Sequence, residues 1–148
     1  MDIFNEKNEV KSNWVKWGKE GDWISGTLVS KRVAKNQLKE GSPDQIIYEL
    51  KTSGGEFHDI DEKKKVVEKA TKIPEGEYWL IGGKPGIDAQ MRNIKLGQLL
   101  GLKFIEEVAS KTKGYNATKI IRVYTANEFD PEYMAGVGSE VKDDGFNN

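Results

Sequence analysis

Apolar residues along the chain cluster in short segments that are rich in β-branched and aromatic side chains. Such segments, sometimes lengthened by a bulge, are typical of β-strands. Glycine, proline, serine and asparagine stand between them and favour turns, and residues 53–55 predict one tight turn. The predicted strands are residues 14–33, 46–52, 56–61, 77–83, 98–107 and 118–125, and residues 63–72 are predicted as one helical or looped excursion.

One segment has helical spacing instead. Ile87, Met91 and Ile94 stand at positions i, i+4 and i+7, so they share one face of a short amphipathic helix. Asp88 lies near the start of this helix, where a carboxylate interacts favourably with the macrodipole, and Gly97 follows its end. The sequence therefore predicts a single short helix in an otherwise β-rich chain.

The order of these elements is strand, strand, one or two short strands, helix, strand, strand. A five-stranded Greek-key barrel of the OB type has its helix between strands 3 and 4. We therefore predict a mainly β fold, a small OB-like five-stranded Greek-key barrel over residues 14–126 with one short helix between strands 3 and 4. Such barrels bind single strands through the face of strands 2 and 3 and through two loops, here residues 34–45 and 110–117.

Composition narrows the classes of protein that remain. The 148 residues fit one domain, and the shares of 36% hydrophobic and 32% charged residues predict a lean core. The absence of cysteine excludes disulfides, thiolate zinc sites and cysteine nucleophiles, and a single histidine excludes a multi-histidine metal cluster. No apolar run is long enough to span a membrane, and the first ten residues do not resemble a signal peptide. We expect a soluble, cytoplasmic protein without a membrane partner.

The net charge of −1 hides a division along the chain. Residues 127–148 contain six acidic side chains and one basic, which leaves 18 acidic and 22 basic side chains in residues 1–126. We predict an acidic, disordered C-terminal tail over residues 127–148 and a flexible N-terminus over residues 1–13. A basic body with an acidic tail is a hint of nucleic-acid binding combined with a tail that binds a partner.

Catalytic motifs are scarce. Residues 82–86 lack the spacing and the lysine–serine/threonine pair of a phosphate-binding loop, and the sequence has no serine nucleophile elbow and no dinucleotide fingerprint. His58, Asp59, Asp61 and Glu62 could hold Mg²⁺ or act as acid and base, but a polar strand end is the favoured interpretation. We predict that the protein is not an enzyme and needs no metal or cofactor.

Three segments, GDWISGTLV, IDAQMRNIKLGQLLGLKF and KGYNATKIIRVYT, resemble OB-fold single-stranded-DNA-binding-like proteins of phages and uncultured bacteria. The resemblance covers residues 14–125. It implies a protein of a bacterial or phage-infected cell that binds single-stranded DNA, or RNA, with little sequence preference during replication, recombination or repair. It also implies that an acidic tip recruits a replication or recombination protein. Asp143, Asp144 and Phe146 resemble that tip, although two asparagines follow the phenylalanine.

Binding of single strands needs aromatic faces for stacking and cations along the phosphate path. Lysines, arginines and one tyrosine of the two loops and the last strand, together with aromatic residues of the predicted strands, are the candidates. They are Lys31, Arg32, Lys35, Tyr48, Phe57, Trp79, Lys111, Lys113, Tyr115, Lys119 and Arg122.

The barrel register decides which strand aromatics face solvent, and Trp23 is subject to the same choice as Tyr48, Phe57 and Trp79. On the last strand Arg122 shares its face with Tyr124. The alternative function is a structural or protein-interaction barrel with buried aromatics and solubilising lysines. Convergence of Lys31, Arg32, Lys113 and Arg122 on one face with exposed rings would favour nucleic acid, and a scattered arrangement would favour the interaction barrel.

Overall fold

A computed structural model describes residues 13–35, 44–111, 114 and 117–141. The chain forms a mainly β fold with few helices, which confirms the predicted fold class. No helix in these ranges combines the length and the apolar composition needed to cross a bilayer. The elements are β1 (Trp23–Ala34), β2 (Gln45–Phe57), β3 (Thr71–Ile73), β4 (Tyr78–Gly82), α1 (Pro85–Met91), β5 (Gln98–Val108), β6 (Thr118–Phe129) and α2 (Pro131–Val141).

The strands form one antiparallel sheet in the order β3-β2-β1-β5-β6. β4 also pairs with β2, at residues 47–51, whereas β3 pairs with residues 55–57 of the same strand. The short strands β3 and β4 together take the place of the third barrel strand, so α1 lies between the third and fourth positions as predicted. β1 is the central strand because it pairs with both β2 and β5. Register shifts interrupt the β1–β2 and β5–β6 pairs, and such irregularities bend a strand and increase its twist.

Side chains and the segment before β1, rather than strand pairing, bridge the seam between β4 and β6. The Val15 amide donates to the Leu80 carbonyl, and the Lys119 ammonium of β6 donates to the Trp17 carbonyl. From α1, the Gln90 side-chain amide donates to the Ile121 carbonyl and its Oε1 accepts the Val123 amide. Gln90 thus hydrogen-bonds the edge of β6 in the way that a neighbouring strand would.

The core lies between the inner faces of the strands and α1. Ile87 and Met91 of α1 are buried, and Ile94 is buried in the turn that follows, which confirms the predicted apolar face. They pack against the fully buried residues that alternate along the strands. The largest fully buried strand side chains are Tyr48, Phe104, Ile24, Leu28, Leu50, Ile81 and Leu102.

Two predicted boundaries in the first hairpin are wrong. β1 begins at Trp23 rather than at residue 14, and Gly18 before it lies against the His58 backbone, where a Cβ would overlap the carbonyl. Residues 53–55 form no turn, because β2 continues through them to Phe57. A Cβ at Gly55 would lie 2.9 Å from the Trp23 carbonyl oxygen, so the glycine permits close approach of two strands. The predicted strand at 56–61 is therefore the end of β2.

The described part of the predicted disordered tail is ordered, which corrects the prediction for residues 127–141. β6 continues to Phe129, and α2 follows directly. Asp130 holds this helix to the sheet: its Oδ2 accepts the Thr27 hydroxyl at 2.6 Å and its Oδ1 accepts the Glu132 amide at 3.0 Å. Tertiary contacts supply the order that a sequence without helical periodicity did not indicate. Residues 1–12 and 142–148 lie outside the described ranges.

Candidate nucleic-acid interface

A single row of side chains crosses five strands on the solvent-facing side of the sheet. The paired residues, from β3 through β2, β1 and β5 to β6, are Lys72, Glu56, Trp23, Lys103 and Arg122. Directly opposite residues on neighbouring strands project from the same face. The Trp23 side chain is 41% exposed, and both Lys103 and Arg122 are exposed. The row thus places three cations, one carboxylate and an exposed indole on one surface.

The next outward-facing row has small residues in its centre. Gly54, Ser25 and Gly101 pair across β2, β1 and β5, and Gly101 pairs with Tyr124 of β6. Tyr124 is 50% exposed. The small residues leave a groove of about 300 Å³ between the two aromatic side chains. We call this the outer-face groove; it is lined by Trp23, Ile24, Ser25, Gly101, Leu102, Lys103 and Tyr124, and Arg122 lies beside it.

The buried residues between these rows determine which side chains face the groove. Ile24 and Leu102 are buried and pair with each other, and Val123, the partner of Leu102 on β6, packs against the core. Because side chains alternate along a strand, the residues on either side of these three point outward. The core therefore directs both aromatic and both cationic side chains towards solvent.

The electrostatics of this surface favour an anion. Lys103 and Arg122 are direct cross-strand neighbours, and in the described part of the chain neither forms an ion pair. Like charges placed opposite each other destabilise a sheet. Glu56 and Lys72 stand opposite each other in the β2–β3 part of the row, so the excess of cationic residues in the row lies in its β5–β6 part. A ligand with phosphate groups would relieve the repulsion there.

A second groove, of about 380 Å³, lies where β1 and β2 meet the C-terminal end of α1. It brings together the predicted residues Lys31, Arg32 and Tyr48. The Lys31 ammonium donates to the Met91 carbonyl at 2.8 Å, and burial lowers the pKa of Lys31. We call it the basic groove; it is lined by Lys31, Arg32, Val33, Ile46, Tyr48, Asp88, Met91 and Arg92.

Three of the predicted stacking residues lie in the core, which corrects their assignment. Tyr48 is 2% exposed and its hydroxyl donates to Asp88 at 2.6 Å. Burial and the Asp88 carboxylate raise the pKa of Tyr48 above its ordinary value. Phe57 and Trp79 are buried against each other edge to face, with ring centroids 5.4 Å apart. None of the three presents a ring face to a base, because the strand register directs them inwards.

The predicted cations have different environments. The Lys119 ammonium donates to the Trp17 carbonyl and lies 5.7 Å from the Phe104 ring centroid. Its contacts therefore stabilise the seam between β4 and β6. Lys84, which the prediction did not select, donates to the Lys119 carbonyl, and burial together with the nearby Lys119 charge lowers the pKa of Lys84. Lys35 and Lys111 are exposed. The predicted residues Lys113, Tyr115, Asp143, Asp144 and Phe146 lie outside the described ranges.

The predicted cations do not all converge. Lys31 and Arg32 lie at the basic groove, whereas Arg122 lies beside the outer-face groove at the other end of β1. The residues that do converge with Arg122 include Trp23 and Lys103, which the prediction did not select. The apolar residues Leu102 and Val123, each between outward-facing neighbours, were the available signal on β5 and β6, whereas Trp23 and Ile24 are both apolar and gave no such signal on β1.

The acidic residues near His58 have structural roles. His58 Nδ1 lies 2.7 Å from Asp22 Oδ1, and the other oxygen of this buried carboxylate accepts the backbone amides of Gly18, Lys19 and His58. Asp61 accepts the amides of two lysines in its own turn. Within the described residues no group of three or more histidine, aspartate or glutamate side chains is placed to hold a metal ion.

Comparison of the chain with known protein families, with curated proteins and with solved structures finds no significant match.

Proposed function

We propose that this protein binds single-stranded DNA at the outer-face groove, with little sequence preference, and covers single strands during replication, recombination or repair. One juxtaposition carries the proposal. Trp23 and Tyr124 flank the small residue Gly101, and Lys103 and Arg122 lie beside them. Flat aromatic faces and adjacent cations on an open surface are the combination that single-stranded nucleic acids require.

Each component has a separate part in binding. Lys103 and Arg122 attract the phosphates and lose their mutual repulsion when a phosphate lies between them. Trp23 and Tyr124 then stack on bases, and such stacking is worth about 1–3 kcal/mol per base. Stacking tolerates every base because each has a π-face. Stacking and phosphate contacts together are therefore strong enough to replace the hydration of the bases and phosphates. The resulting binding is weakly selective for sequence.

A single strand fits this surface better than a duplex. In a duplex the base faces are stacked on one another and only base edges are accessible in the grooves. The residues that line the outer-face groove belong to the strands β1, β5 and β6, so within the described ranges the groove contains no helix or projecting ribbon that could enter a major groove. Aromatic rings there can contact only bases that are already unstacked. We expect clear preference for the single strand.

The test is a titration of a labelled polypyrimidine DNA, an RNA of the same sequence and a duplex of equal length. Fluorescence anisotropy and tryptophan quenching would be followed at several salt concentrations. With two or three phosphates neutralised, the slope of log K against log salt is expected to be about −1.4 to −2.1. The single strand is expected to quench tryptophan fluorescence and to bind more tightly than the duplex.

Matched variants locate the site. Trp23→Leu and Tyr124→Leu are expected to weaken binding about tenfold each. Trp14→Leu and Tyr78→Leu remove aromatics of similar exposure elsewhere on the surface and are expected to leave affinity within about twofold. Absence of binding at low salt, or equal loss in both pairs of variants, would overturn the proposal. The structural or protein-interaction barrel would then be the working hypothesis.

A further inference from the structure

The second half of β1 has a neighbouring strand on one side only. β1 pairs with β5 from Trp23 to Thr27, whereas its pairing with β2 continues to Ala34. The segment before β5 contacts β1 once more, where the Gly97 amide donates to the Leu28 carbonyl. Beyond that point no strand of the described ranges pairs with the β5 side of β1. Such an edge is a template for an added strand.

The register shows which backbone groups point along this edge. The Ile46 carbonyl accepts the Gly83 amide just after β4, so Ile46 directs its backbone groups away from β1. Its partner Val33 is therefore in a non-hydrogen-bonded pair, and so is Lys31, two positions earlier and opposite Tyr48. Both residues direct an amide and a carbonyl away from β2. We call these backbone groups of Lys31 and Val33 the open edge of β1.

The basic groove lies beside the open edge. Its lining includes Lys31, Arg32 and Val33, three consecutive residues whose side chains alternate between the two faces of β1. The face of Val33 is apolar, because this aliphatic side chain is 62% exposed and Ile46 and Met91 line the same groove. Arg32 is exposed on the opposite face. A strand added at this edge would therefore place alternate side chains against an apolar surface and beside a cation.

The charge of the groove favours an acidic partner. The lining contains three basic side chains and one carboxylate, Asp88, which accepts the Tyr48 hydroxyl. The basic residues are Lys31, Arg32 and Arg92. Neither arginine forms an ion pair with a residue that the structure describes. A second copy of this chain, paired through the same edge, would bring like charges together, whereas acidic side chains would be attracted.

We propose that the open edge of β1 binds an extended acidic segment of a partner protein, which joins the sheet as an antiparallel strand. Backbone hydrogen bonds to Lys31 and Val33 supply affinity, and the basic groove selects apolar side chains at alternate positions. Acidic side chains at the other positions lie on the face of Arg32. A nucleic acid fits this groove less well because its aromatic residue, Tyr48, is buried and presents no ring for stacking. The groove shares no lining residue with the outer-face groove, so this site does not depend on the proposed binding of single strands.

The first measurement uses a synthetic hexapeptide of alternating valine and aspartate, blocked at both ends, and NMR of the full chain. The peptide is expected to shift the amide signals of Lys31 and Val33 and to slow their hydrogen exchange. A peptide of alternating valine and lysine is expected to bind at least about tenfold more weakly. Absence of shifts at millimolar peptide, shifts confined to other residues, or equal binding of the two peptides would overturn the proposal.

The second measurement tests backbone pairing with N-methylated peptides. In an antiparallel strand whose valines lie on the face of Val33, the valine amides point towards β1 and the aspartate amides point away. N-methylation of the valines is therefore expected to weaken binding at least about tenfold, and N-methylation of the aspartates by less than about threefold. Equal affinities of the two methylated peptides, or the reverse order, would overturn the proposal.

The third measurement changes the protein. Val33→Pro removes a donor of the open edge but no hydrogen bond to β2, and proline is tolerated at such positions. It is expected to weaken the valine–aspartate peptide at least about tenfold, whereas Val33→Ile, which keeps the amide, stays within about twofold. Thermal unfolding checks that both variants fold. Equal affinities of the two folded variants would contradict pairing at this edge.

Charge variants provide a test that does not alter the backbone. Arg32→Gln is expected to weaken the valine–aspartate peptide about threefold to tenfold. Lys63→Gln makes the same change of net charge at an exposed position outside the groove and is expected to have less than a twofold effect. Equal losses in the two variants would contradict a specific site.

The last measurement separates the open edge from the outer-face groove and distinguishes a peptide from a nucleic acid. Trp23→Leu is expected to retain full affinity for the valine–aspartate peptide. Polypyrimidine DNA is expected not to displace the peptide from this variant. Displacement would assign the basic groove to nucleic acid and overturn the proposal, as would loss of peptide binding in Trp23→Leu.

Discussion

Lys103 of β5 lies directly opposite Arg122 of β6, and both side chains face solvent. Neither forms an ion pair with a described residue, so the two charges repel each other in the free protein. A phosphate group would remove this repulsion. This pair of residues therefore lowers the stability of the free protein and favours the binding of an anion. The free energy of unfolding and the binding affinity can be measured separately.

Lys103→Glu is expected to stabilise the free protein and to weaken its binding to single strands. The change replaces a like-charge pair with an opposite-charge pair across β5 and β6, which is worth about 0.2–1 kcal/mol in the free energy of unfolding. It also places a carboxylate where a phosphate would bind. Urea denaturation and fluorescence anisotropy measure the two effects. Lower stability together with unchanged affinity would contradict the role given to this pair.

Gly101→Val is expected to fill the outer-face groove without disturbing the fold. A Cβ at this position would meet its nearest neighbours at 3.6 Å, which is ordinary contact, and valine favours a strand more than glycine does. We expect stability that is unchanged or higher by about 0.5–1 kcal/mol, with loss of oligonucleotide binding. Retained affinity would show that bases do not enter the groove.

Gly26→Ala provides the contrast for the preceding variant. Gly26 lies on β1, the strand next to that of Gly101, but an added Cβ would overlap the Lys51 carbonyl oxygen of β2. Strand separation or a change of register would follow, and we expect destabilisation by about 1–3 kcal/mol. Thermal unfolding of the two glycine variants in parallel separates a filled surface groove from a disrupted sheet.

Gln90→Leu is expected to destabilise the edge of β6. The substitution keeps most of the side-chain volume but removes the partner of the Ile121 carbonyl and of the Val123 amide. An unsatisfied backbone group costs about 1–3 kcal/mol, less where water can reach it. Hydrogen exchange of the Val123 amide is expected to accelerate. Gln90→Glu retains an acceptor for that amide, so it is expected to preserve protection there better than leucine does.

The attachment of α2 is expected to weaken in acid. The Thr27 hydroxyl, as the main cause, holds the pKa of Asp130 below its usual value. A depressed folded-state pKa contributes stability that is present above the unfolded-state pKa of about 3.9 and is lost as the pH falls through the folded-state value. Thr27→Val is expected to raise the pKa of Asp130, as measured by NMR titration of its carboxyl. An unchanged pKa in that variant would contradict this cause.

The sequence by itself determined the class of fold and most of its elements. Alternating β-branched and aromatic residues specify β1, β4, β5 and β6 because strands bury every second side chain, and Ile87, Met91 and Ile94 specify the buried face of one short helix. These signals are local, so they can be read without knowing which strands are neighbours. Turn residues were less informative, because Gly54 and Gly55 lie inside β2 and form no turn. Their lack of a side chain permits close contact with β1 instead.

Only the tertiary structure decided which aromatic and cationic side chains are available to a ligand. A shift of one residue in register exchanges the two faces of a strand, so the sequence alone left Trp23 and Trp79 equivalent, although the first is exposed and the second buried. The convergence of Trp23, Lys103 and Arg122 depends on strands that are far apart in sequence. The attachment of α2 to the sheet likewise includes long-range contacts, such as the hydrogen bond between Asp130 and Thr27, which no local pattern encodes. Physical neighbours across a sheet are set by long-range pairing, and that pairing built both grooves.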